Sequence, residues 1–335
     1  MDRGDKQIAV REGLEIHACP KDALLRISPD ARRVAYDVEH GDTQSVVVDG
    51  VKGKSYDLVS LQPWFSPDSK HLAYVAWAQD ANLVVLDGVE GRRYDLIWGD
   101  PVFSPDSKHL AYLACPDEEW RRWLLVVDGR EEDAVGPPAN RFPPCPSMLP
   151  RFSPDSARLA YPVYVQGTMA MAVDGRPGPR YDHVSHALFS PNSKHIAYKA
   201  LRGERRHVVH DGKEQGPFDE IGSLVFSADS NRLAYRAERG DKELVVVDGV
   251  GGREYDVVFS DSVRFSPDSK HIAYQAGQGD RVVIVLDGMV YGPFDAFADD
   301  SRFVFDGPDR LRCVVERGGE FRAFEVHIGV PGSAP

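Results

Sequence analysis

One ten-residue motif recurs along this chain and constrains its fold more than any other feature. It is complete at residues 103–112, as Phe-Ser-Pro-Asp-Ser-Lys-His-Leu-Ala-Tyr, and variants stand at 27–36, 65–74, 152–161, 189–198, 226–235 and 265–274. Measured from serine to serine, the copies are 38, 38, 49, 37, 37 and 39 residues apart. Such a period is typical of chains that stack one supersecondary unit many times into a single object.

An eighth, degraded unit follows the seven copies. Gly307, Pro308 and Asp309 stand where Ser-Pro-Asp is expected, and Leu-Ala-Tyr is replaced by residues 311–315. Eight units, one insertion and short tails account for all 335 residues. We therefore expect one domain over 1–335 and no separate catalytic domain among these residues.

Each unit predicts four short strands, because β-branched and aromatic runs alternate with Pro, Gly, Asp and Asn. The first strand of a unit ends at Phe-Ser, and the second contains Leu-Ala-Tyr. The third strand ends at Asp-Gly, and the fourth is centred on Tyr-Asp. Proline suits the second position of a tight turn, and glycine suits the positive φ of a hairpin loop. The small alanine of Leu-Ala-Tyr would let a neighbouring sheet approach closely.

Seven or eight such units predict an all-β fold, a single β-propeller of four-stranded antiparallel blades. We expect eight blades, with seven as the alternative. The predicted blade bounds are 23–60, 61–98, 99–147, 148–185, 186–221, 222–259, 260–297 and 298–330, the last completed by N-terminal residues 6–18.

The motif, followed by Val-Val-Asp-Gly, resembles the TolB-type, WD-repeat-like propeller repeat over nearly the whole chain. The resemblance implies the propeller fold and no particular function, since such propellers have many roles. The α/β domain of TolB and the hydrolase domain of prolyl-oligopeptidase-like enzymes have no counterpart in these residues. Roles in envelope assembly or peptidase gating are therefore not carried over.

The bulk composition limits the kinds of partner that we expect the chain to bind. The net charge is −12 and the pI about 5.4, which disfavours nucleic-acid binding. No apolar run is long enough to span a membrane, and the first residues do not resemble a signal peptide, so we expect a cytoplasmic protein. We also expect it to be a monomer. The four cysteines, Cys19, Cys115, Cys145 and Cys313, lack disulfide or zinc spacing, and we expect free thiols, no metal and no cofactor.

The recurring polar residues predict scaffold rather than chemistry. The aspartates of Ser-Pro-Asp suit turn capping, and the Tyr-Asp pairs suit fourth-strand packing with a capping acid. Histidine at the motif's seventh position alternates with arginine between copies, which favours a half-exposed strand start over a ligand. No Gly-x-Ser-x-Gly, His-Glu-x-x-His or phosphate-binding loop is present, so we expect no enzyme. Four loop acids could approach a channel mouth and hold a cation: Asp100, Asp261, Asp299 and Asp300.

The informative residues are those that break the repeat. All five tryptophans fall between 64 and 123, and a proline-rich insertion at 135–150 lengthens the third unit. Variable loops on a rigid scaffold commonly carry binding residues, and Trp and Arg are enriched at interface hot spots. The predicted patch contains Trp77, Trp98, Trp120, Arg121, Arg122, Trp123 and Arg141. A second, weaker patch is the basic run 202–207, and packing of the tryptophans beneath the insertion is the structural alternative.

We therefore expect a non-catalytic scaffold that binds a protein or peptide partner on its variable-loop face. The alternative is a binder of a small, carbohydrate-like ligand, or an enzyme, acting at the channel mouth. Aromatic residues and arginine to one side would favour the macromolecular partner. Polar groups that converge would favour the small ligand.

The N-terminal segment generates a prediction about ring closure. Residues 8–16 resemble the hairpin between third and fourth strands, and the last unit has only three strands, so the segment would complete that blade and remove a sheet edge. Deleting residues 1–18 should sharply lower the melting temperature in a thermal-unfolding scan. An unchanged melting temperature would contradict closure by this segment.

Overall fold

The structure is a computed structural model that describes residues 6–11, 14–20, 25–60, 63–117, 122–134, 149–165, 167–298 and 303–328. Within these ranges the chain forms strands, turns and bends, and no residue is helical, so the all-β prediction is confirmed. The described residues accordingly contain no helix long and apolar enough to cross a bilayer. The chain divides into two compact units, Met1–Arg180 and Tyr181–Pro335.

The first unit contains a hairpin and four antiparallel sheets, here called blades 1 to 4, of which the last ends at the border of the unit. The hairpin pairs β1 (Lys6–Arg11) with β2 (Leu14–Pro20). Blade 1 contains β3 (Arg26–Ile27), β4 (Val34–His40), β5 (Thr43–Val48) and β6 (Val51–Tyr56). Blade 2 contains β7 (Leu58–Val59), β8 (Trp64–Phe65), β9 (Leu72–Ala78), β10 (Ala81–Leu86) and β11 (Val89–Tyr94). Blade 3 contains β12 (Leu96–Phe103), β13 (Leu110–Cys115), β14 (Trp123–Val127) and β15 (Arg130–Ala134). Blade 4 contains β16 (Arg151–Phe152), β17 (Leu159–Val165), β18 (Thr168–Val173) and β19 (Arg176–Tyr181).

The second unit contains four further antiparallel sheets, blades 5 to 8. Blade 5 contains β20 (His183–Phe189), β21 (Ile196–Arg202), β22 (Arg205–His210) and β23 (Lys213–Phe218). Blade 6 contains β24 (Glu220–Phe226), β25 (Leu233–Arg239), β26 (Lys242–Val247) and β27 (Val250–Tyr255). Blade 7 contains β28 (Val257–Val258), β29 (Arg264–Phe265), β30 (Ile272–Gln278), β31 (Arg281–Leu286) and β32 (Met289–Phe294). Blade 8 contains β33 (Ala296–Phe297), β34 (Val304–Phe305), β35 (Arg310–Arg317) and β36 (Glu320–His327).

The sheets are propeller blades, as the repeat and its resemblance predicted. Strands pair with their chain neighbours, as in the antiparallel register Tyr74↔Val85 of blade 2. The second and third strands of a blade are largely buried, whereas the fourth is exposed except at its final aromatic residue. Eight sheets follow the hairpin in the described chain, the number of blades expected.

The alanine of Leu-Ala-Tyr does what its small size predicted. Ala73 of blade 2 is fully buried and lies in one apolar cluster with Leu110 and Tyr112 of blade 3. In the second unit, Ala234 shares a cluster with Ile272 and Tyr274 in the same way. Each blade thus presents a flat, small-residue face to the larger side chains of the next blade, and the core lies between the blades.

The Ser-Pro-Asp-Ser turn also joins neighbouring blades. Its second serine has a positive φ, 65° at Ser107, and its hydroxyl accepts the backbone N–H of Asp68 in the preceding blade at 2.9 Å. The same bond joins Asn192 N–H to Ser230 Oγ at 2.9 Å in the second unit. Sequence reasoning predicted a rigid turn but not this contact, because the partner lies one repeat away.

The Asp-Gly turns have the geometry that the sequence predicted. Asp87 has φ 50° and Gly88 φ 79°, so both central residues are left-handed, as a type I′ hairpin turn requires. Asp tolerates this region better than most residues, and Gly adopts it without steric cost.

Blade 8 has three strands, because β33 and β34 are two segments that both pair with β35, and β36 pairs with the other side of β35. This matches the three-stranded unit expected there. The side chains of β1 and β2 lie outside the described set, and closure of a ring by that hairpin stays a prediction.

The serine contact between blades can be tested with Ser230→Ala. Alanine already occupies this turn position in blade 1, where Ala31 has φ 56°, so the turn itself should tolerate the change. Removing the hydroxyl leaves Asn192 N–H without its acceptor, and we expect a loss of about 1–2 kcal/mol in the free energy of unfolding, measured with urea. Ser260→Ala, at an exposed serine of the same unit, is the control. Equal stability of the two variants would contradict the role of the contact.

Candidate functional site

The histidine or arginine of each motif is the partner of the Asp-Gly turn in its own blade. His71 Nδ1 lies 2.6 Å from Asp87 Oδ2, and Asp87 Oδ1 accepts the backbone N–H of Leu72 at 2.9 Å. Where the chain has arginine, Arg232 Nε donates to Asp248 Oδ2 at 3.1 Å. Both side-chain types reach the carboxylate, which explains the alternation. The predicted half-exposed strand start is confirmed. The sequence did not predict that the aspartate of the Asp-Gly turn would be its partner.

The aspartates of Ser-Pro-Asp cap their own turns, as predicted. Asp229 Oδ1 accepts the Ser227 hydroxyl at 2.6 Å and the Asn231 backbone N–H at 3.1 Å. The Ser227 hydrogen bond is the main cause that lowers the pKa of Asp229 to about 2. In blade 5 the neutral Asn192 accepts the equivalent hydroxyl at 2.7 Å, so the position requires an acceptor oxygen rather than a charge.

The aspartate that follows the fourth strand links two blades in five of the six Tyr-Asp or Phe-Asp pairs, so the predicted capping role is confirmed there across a blade boundary. Asp57 donates its backbone N–H to the carbonyl oxygen of Trp77 at 2.9 Å, and its Oδ2 accepts the N–H of Gln79 at 2.6 Å. The equivalent carboxylate contacts are Asp182–Gly203, Asp219–Gly240, Asp256–Gly279 and Asp295–Gly318. The tyrosine packs edge to face on the next blade, with 6.3 Å between the ring centroids of Tyr56 and Tyr74.

The members of the predicted tryptophan and arginine patch differ in burial, and some of them lie outside the described residues. Trp123, on β14, is 4% exposed within the core between blades 3 and 4, so its ring offers little contact surface. Trp77 and Trp98 are half-buried against the cores of blades 2 to 4, and Arg122 is exposed. Three members lie outside the described residues: Trp120, Arg121 and Arg141. The patch as a binding surface stays a prediction.

The second predicted patch, the basic run 202–207, is matched by carboxylates. Its arginines lie on or beside β21 and β22 and face acids of neighbouring strands. The ion pairs are Arg202–Glu214, Arg205–Asp219 and Arg206–Glu220. The run therefore carries little unbalanced positive charge.

Sequence reasoning missed a departure inside the strands, one residue after Leu-Ala-Tyr. This position is apolar in blades 2 to 4, as Val75, Leu113 and Pro162, and polar in blades 1, 5, 6 and 7, as Asp37, Lys199, Arg236 and Gln275. Lys199 Nζ donates to the carbonyl oxygen of Ile221 at 2.8 Å, and partial burial lowers the pKa of Lys199. Arg236 pairs with Glu243 at 2.5 Å. An alignment of the repeat units shows this alternation, because it lies at one fixed position after Leu-Ala-Tyr rather than in a variable loop.

A cavity of about 270 Å³ lies beside Arg236, between blades 6 and 7 of the second unit. Arg236 contributes to its wall from β25. The other residues that matter here are Ser223 and Val225 of β24 and Phe259, Asp261 and Arg264 at the start of blade 7. The cavity thus has one apolar side and one side with charged groups.

The charged groups of the cavity differ in their partners. Asp261, one of the four loop acids, accepts the Ser223 hydroxyl at 3.1 Å. Arg264 is half-buried at the position where blade 6 has Val225, and it has no hydrogen-bond or ion-pair partner among the described residues. Of the other loop acids, Asp100 is exposed on β12, and residues 299 and 300 lie outside the described set.

Two of the cysteines are visible as buried free thiols, Cys115 and Cys313, as predicted. Burial raises the pKa of both, that of Cys313 to about 12, so neither is a reactive thiolate near neutral pH. Cys145 and the Cys19 side chain lie outside the described set.

No protein-family model matches the chain, and no curated protein matches it. Solved structures do match. A eukaryotic initiation factor is 11% identical, with 91% of this chain and 85% of that chain covered and a TM-score of 0.46. TolB from Acinetobacter baumannii is 18% identical over 66% of this chain and 62% of that one, at a TM-score of 0.32. The propeller domain of the Trilobed protease from Pyrococcus furiosus is 12% identical, with 85% of this chain and 97% of that chain covered and a TM-score of 0.38. These likenesses are remote, and the fold assignment rests on the order of the sheets.

The capped aspartates generate a prediction about acid stability. Because the pKa of Asp229 is lower in the folded chain than its ordinary 3.8, its contribution to stability is complete above pH 3.8 and is lost as the pH falls through about 2. Asp229→Asn keeps the acceptor oxygen, as Asn192 does, and should weaken the fall of the melting temperature over this range. Asp241→Asn, an exposed turn residue, controls for net charge. Identical pH profiles for wild type and Asp229→Asn would contradict the assignment.

Proposed function

We propose that this protein is a non-catalytic binding module and that the cavity of the second unit anchors a carboxylate group of a peptide partner. The observation that supports this most is Arg264, a half-buried guanidinium at the cavity wall with no partner among the described residues. A partly buried charge without a partner costs free energy, and a ligand carboxylate would supply the partner that the described residues do not.

The charged side chains of the cavity wall favour a ligand that carries a carboxylate group. Guanidinium groups bind carboxylates through two parallel hydrogen bonds, which makes an acidic side chain or a chain end the suitable partner for Arg264. The other cavity arginine, Arg236, is compensated by Glu243, so it adds less net attraction. Asp261 and Ser223 lie on the same wall and offer acceptors for a nearby N–H or O–H of the ligand.

The size of the cavity favours an anchor for one part of a larger molecule. Pockets for complete small ligands have volumes of roughly 300–1,000 Å³. The volume of about 270 Å³ lies just below that range and suits one or two side chains. Phe259, Val225 and Val263 supply an apolar wall for the aliphatic part of an acidic residue.

The groups in the cavity suit recognition better than catalysis. The Ser223 hydroxyl donates a hydrogen bond to Asp261, and the described residues that line the cavity include no histidine or cysteine that could act beside it. Binding on the face that carries the inter-blade segments agrees with the expected partner-binding role. The tryptophan patch of the first unit is a separate prediction.

The proposal is tested by selecting twelve-residue random peptides on the wild-type protein and measuring the affinity of the selected peptides for Arg264→Val. Blades 3 and 6 have valine at this position, Val102 and Val225, so the fold should tolerate the change. We expect selected peptides to be enriched in Asp and Glu. Their affinity should fall about tenfold to a hundredfold in the variant, the effect of one charge-assisted hydrogen-bonded contact.

Arg322→Val, at an exposed arginine of β36, is the matched control because it removes the same charge outside the cavity. Its peptide affinity should equal that of the wild type. Selected peptides without acidic enrichment, or equal losses in both variants, would overturn the proposal. Binding of free glutarate with the same Arg264 dependence, but of no peptide, would favour the small-ligand alternative instead.

A further inference from the structure

We propose that His195, His210 and Asp211 of blade 5 form a binding site for a borderline divalent metal ion of the Zn²⁺ class. One ligand atom from each of the three side chains lies within 4.8 Å of the other two. Among the described residues, these are the three potential metal-ligand side chains that the fold places close together. The inference is independent of the cavity between blades 6 and 7.

The site arises where blade 5 departs from the repeat. The pair His195–Asp211 is the ordinary contact of the motif histidine with its Asp-Gly turn. His210 is the departure, because every other blade with this turn has an aliphatic residue immediately before Asp-Gly. Those residues are Val48, Leu86, Val127, Val173, Val247 and Leu286. A second imidazole is therefore added to a carboxylate and imidazole already held together by the scaffold.

The added imidazole has an unmet hydrogen-bonding atom. His210 Nε2 is buried, has no hydrogen-bond partner among the described residues, and lies 3.7 Å from Asp211 Oδ2. An unsatisfied buried nitrogen is costly, and a metal ion shared with Asp211 would satisfy it.

The arrangement needs only a small adjustment to hold an ion. Zinc lies about 2.0–2.2 Å from imidazole nitrogens and carboxylate oxygens, so two tetrahedral ligand atoms are separated by roughly 3.3 Å. His195 Nδ1 and Asp211 Oδ2 are 2.6 Å apart and must separate by less than about 1 Å, whereas the His210 distance of 3.7 Å must shorten slightly. The His195 and Asp211 side chains are 37% and 40% exposed, which leaves room for this movement and for a water ligand.

Neighbouring groups fix the orientation of two ligands. Asp211 Oδ1 accepts the backbone N–H of Ile196 at 2.9 Å, so Oδ2 remains directed toward both histidines. The His210 ring packs edge to face against Phe226, with 5.6 Å between centroids. Such outer contacts orient metal ligands and strengthen binding. Two imidazoles and one carboxylate suit Zn²⁺, and also Ni²⁺ or Cu²⁺, better than Mg²⁺ or Ca²⁺.

The test is a calorimetric titration of the tag-free chain with ZnCl₂, and with MgCl₂ as the hard-cation comparison. We expect one Zn²⁺ site and no comparable Mg²⁺ binding. His210→Val, which restores the residue of blades 1, 3, 4 and 6, should weaken Zn²⁺ binding at least tenfold. His195→Arg should weaken it similarly while keeping the ion pair to Asp211, as Arg232 does with Asp248 in blade 6.

His271→Arg is the matched control, because His271 pairs with Asp287 in the same way in blade 7 but has Leu286 where blade 5 has His210. Its Zn²⁺ affinity should equal that of the wild type. Absence of a stoichiometric Zn²⁺ site in the wild type would overturn the proposal. Wild-type affinity in His210→Val, or equal weakening in His271→Arg, would overturn it as well.

Discussion

Within each unit, neighbouring blades are linked by one recurring hydrogen bond, which runs from the backbone N–H of the third residue of one Ser-Pro-Asp-Ser turn to the side-chain hydroxyl of the fourth residue of the next. Asp68 N–H to Ser107 Oγ is one instance, at 2.9 Å. The serine must be left-handed to present its hydroxyl in this way, and its turn must be held by an acceptor such as Asp106, which binds Ser104 Oγ at 2.6 Å. A second link comes from the aspartates that follow the fourth strands, which accept a backbone N–H from the next blade's hairpin turn at Asp57, Asp182, Asp219, Asp256 and Asp295. Apolar side chains, such as Ala73 against Leu110 and Tyr112, pack between the same neighbouring blades.

This use of polar groups explains why the repeat carries so little free chemistry. The recurring serine, aspartate and histidine or arginine side chains satisfy one another or the backbone, and groups already bonded in this way are poorly available to a ligand. Side chains that are available to a ligand are therefore expected at positions that differ between blades. His210 stands where the other blades with this turn have valine or leucine. The position of Arg264 varies more widely, with arginine also in blades 1 and 4 (Arg26 and Arg151) and valine in blades 3 and 6. At both positions, blade 5 or blade 7 carries a polar group that has no hydrogen-bond partner among the described residues.

Much of the fold was predictable because its determinants are local. Strand order, the positive φ of the glycine in Asp-Gly, the turn caps and the small face of Leu-Ala-Tyr depend on residues a few positions apart, and each is observed. The candidate site was less predictable. Trp123 belongs to a class of residue that is common at interfaces, yet it is core, because burial depends on what the neighbouring blade places against it. Asp261 was noticed as a loop acid, but nothing local showed that Arg264 and Phe259 would share a cavity with it.

By itself, the sequence determined that the chain is all-β, that it repeats a four-stranded blade, and that its motif residues serve turns. These conclusions follow from periodicity and turn chemistry, which act within one unit. Only the tertiary structure decided which polar side chains have partners and which do not. Whether Arg264 has a partner among the described residues, or whether His210 lies beside His195 and Asp211, depends on groups brought together across hairpins and blades, and a linear pattern does not record those distances.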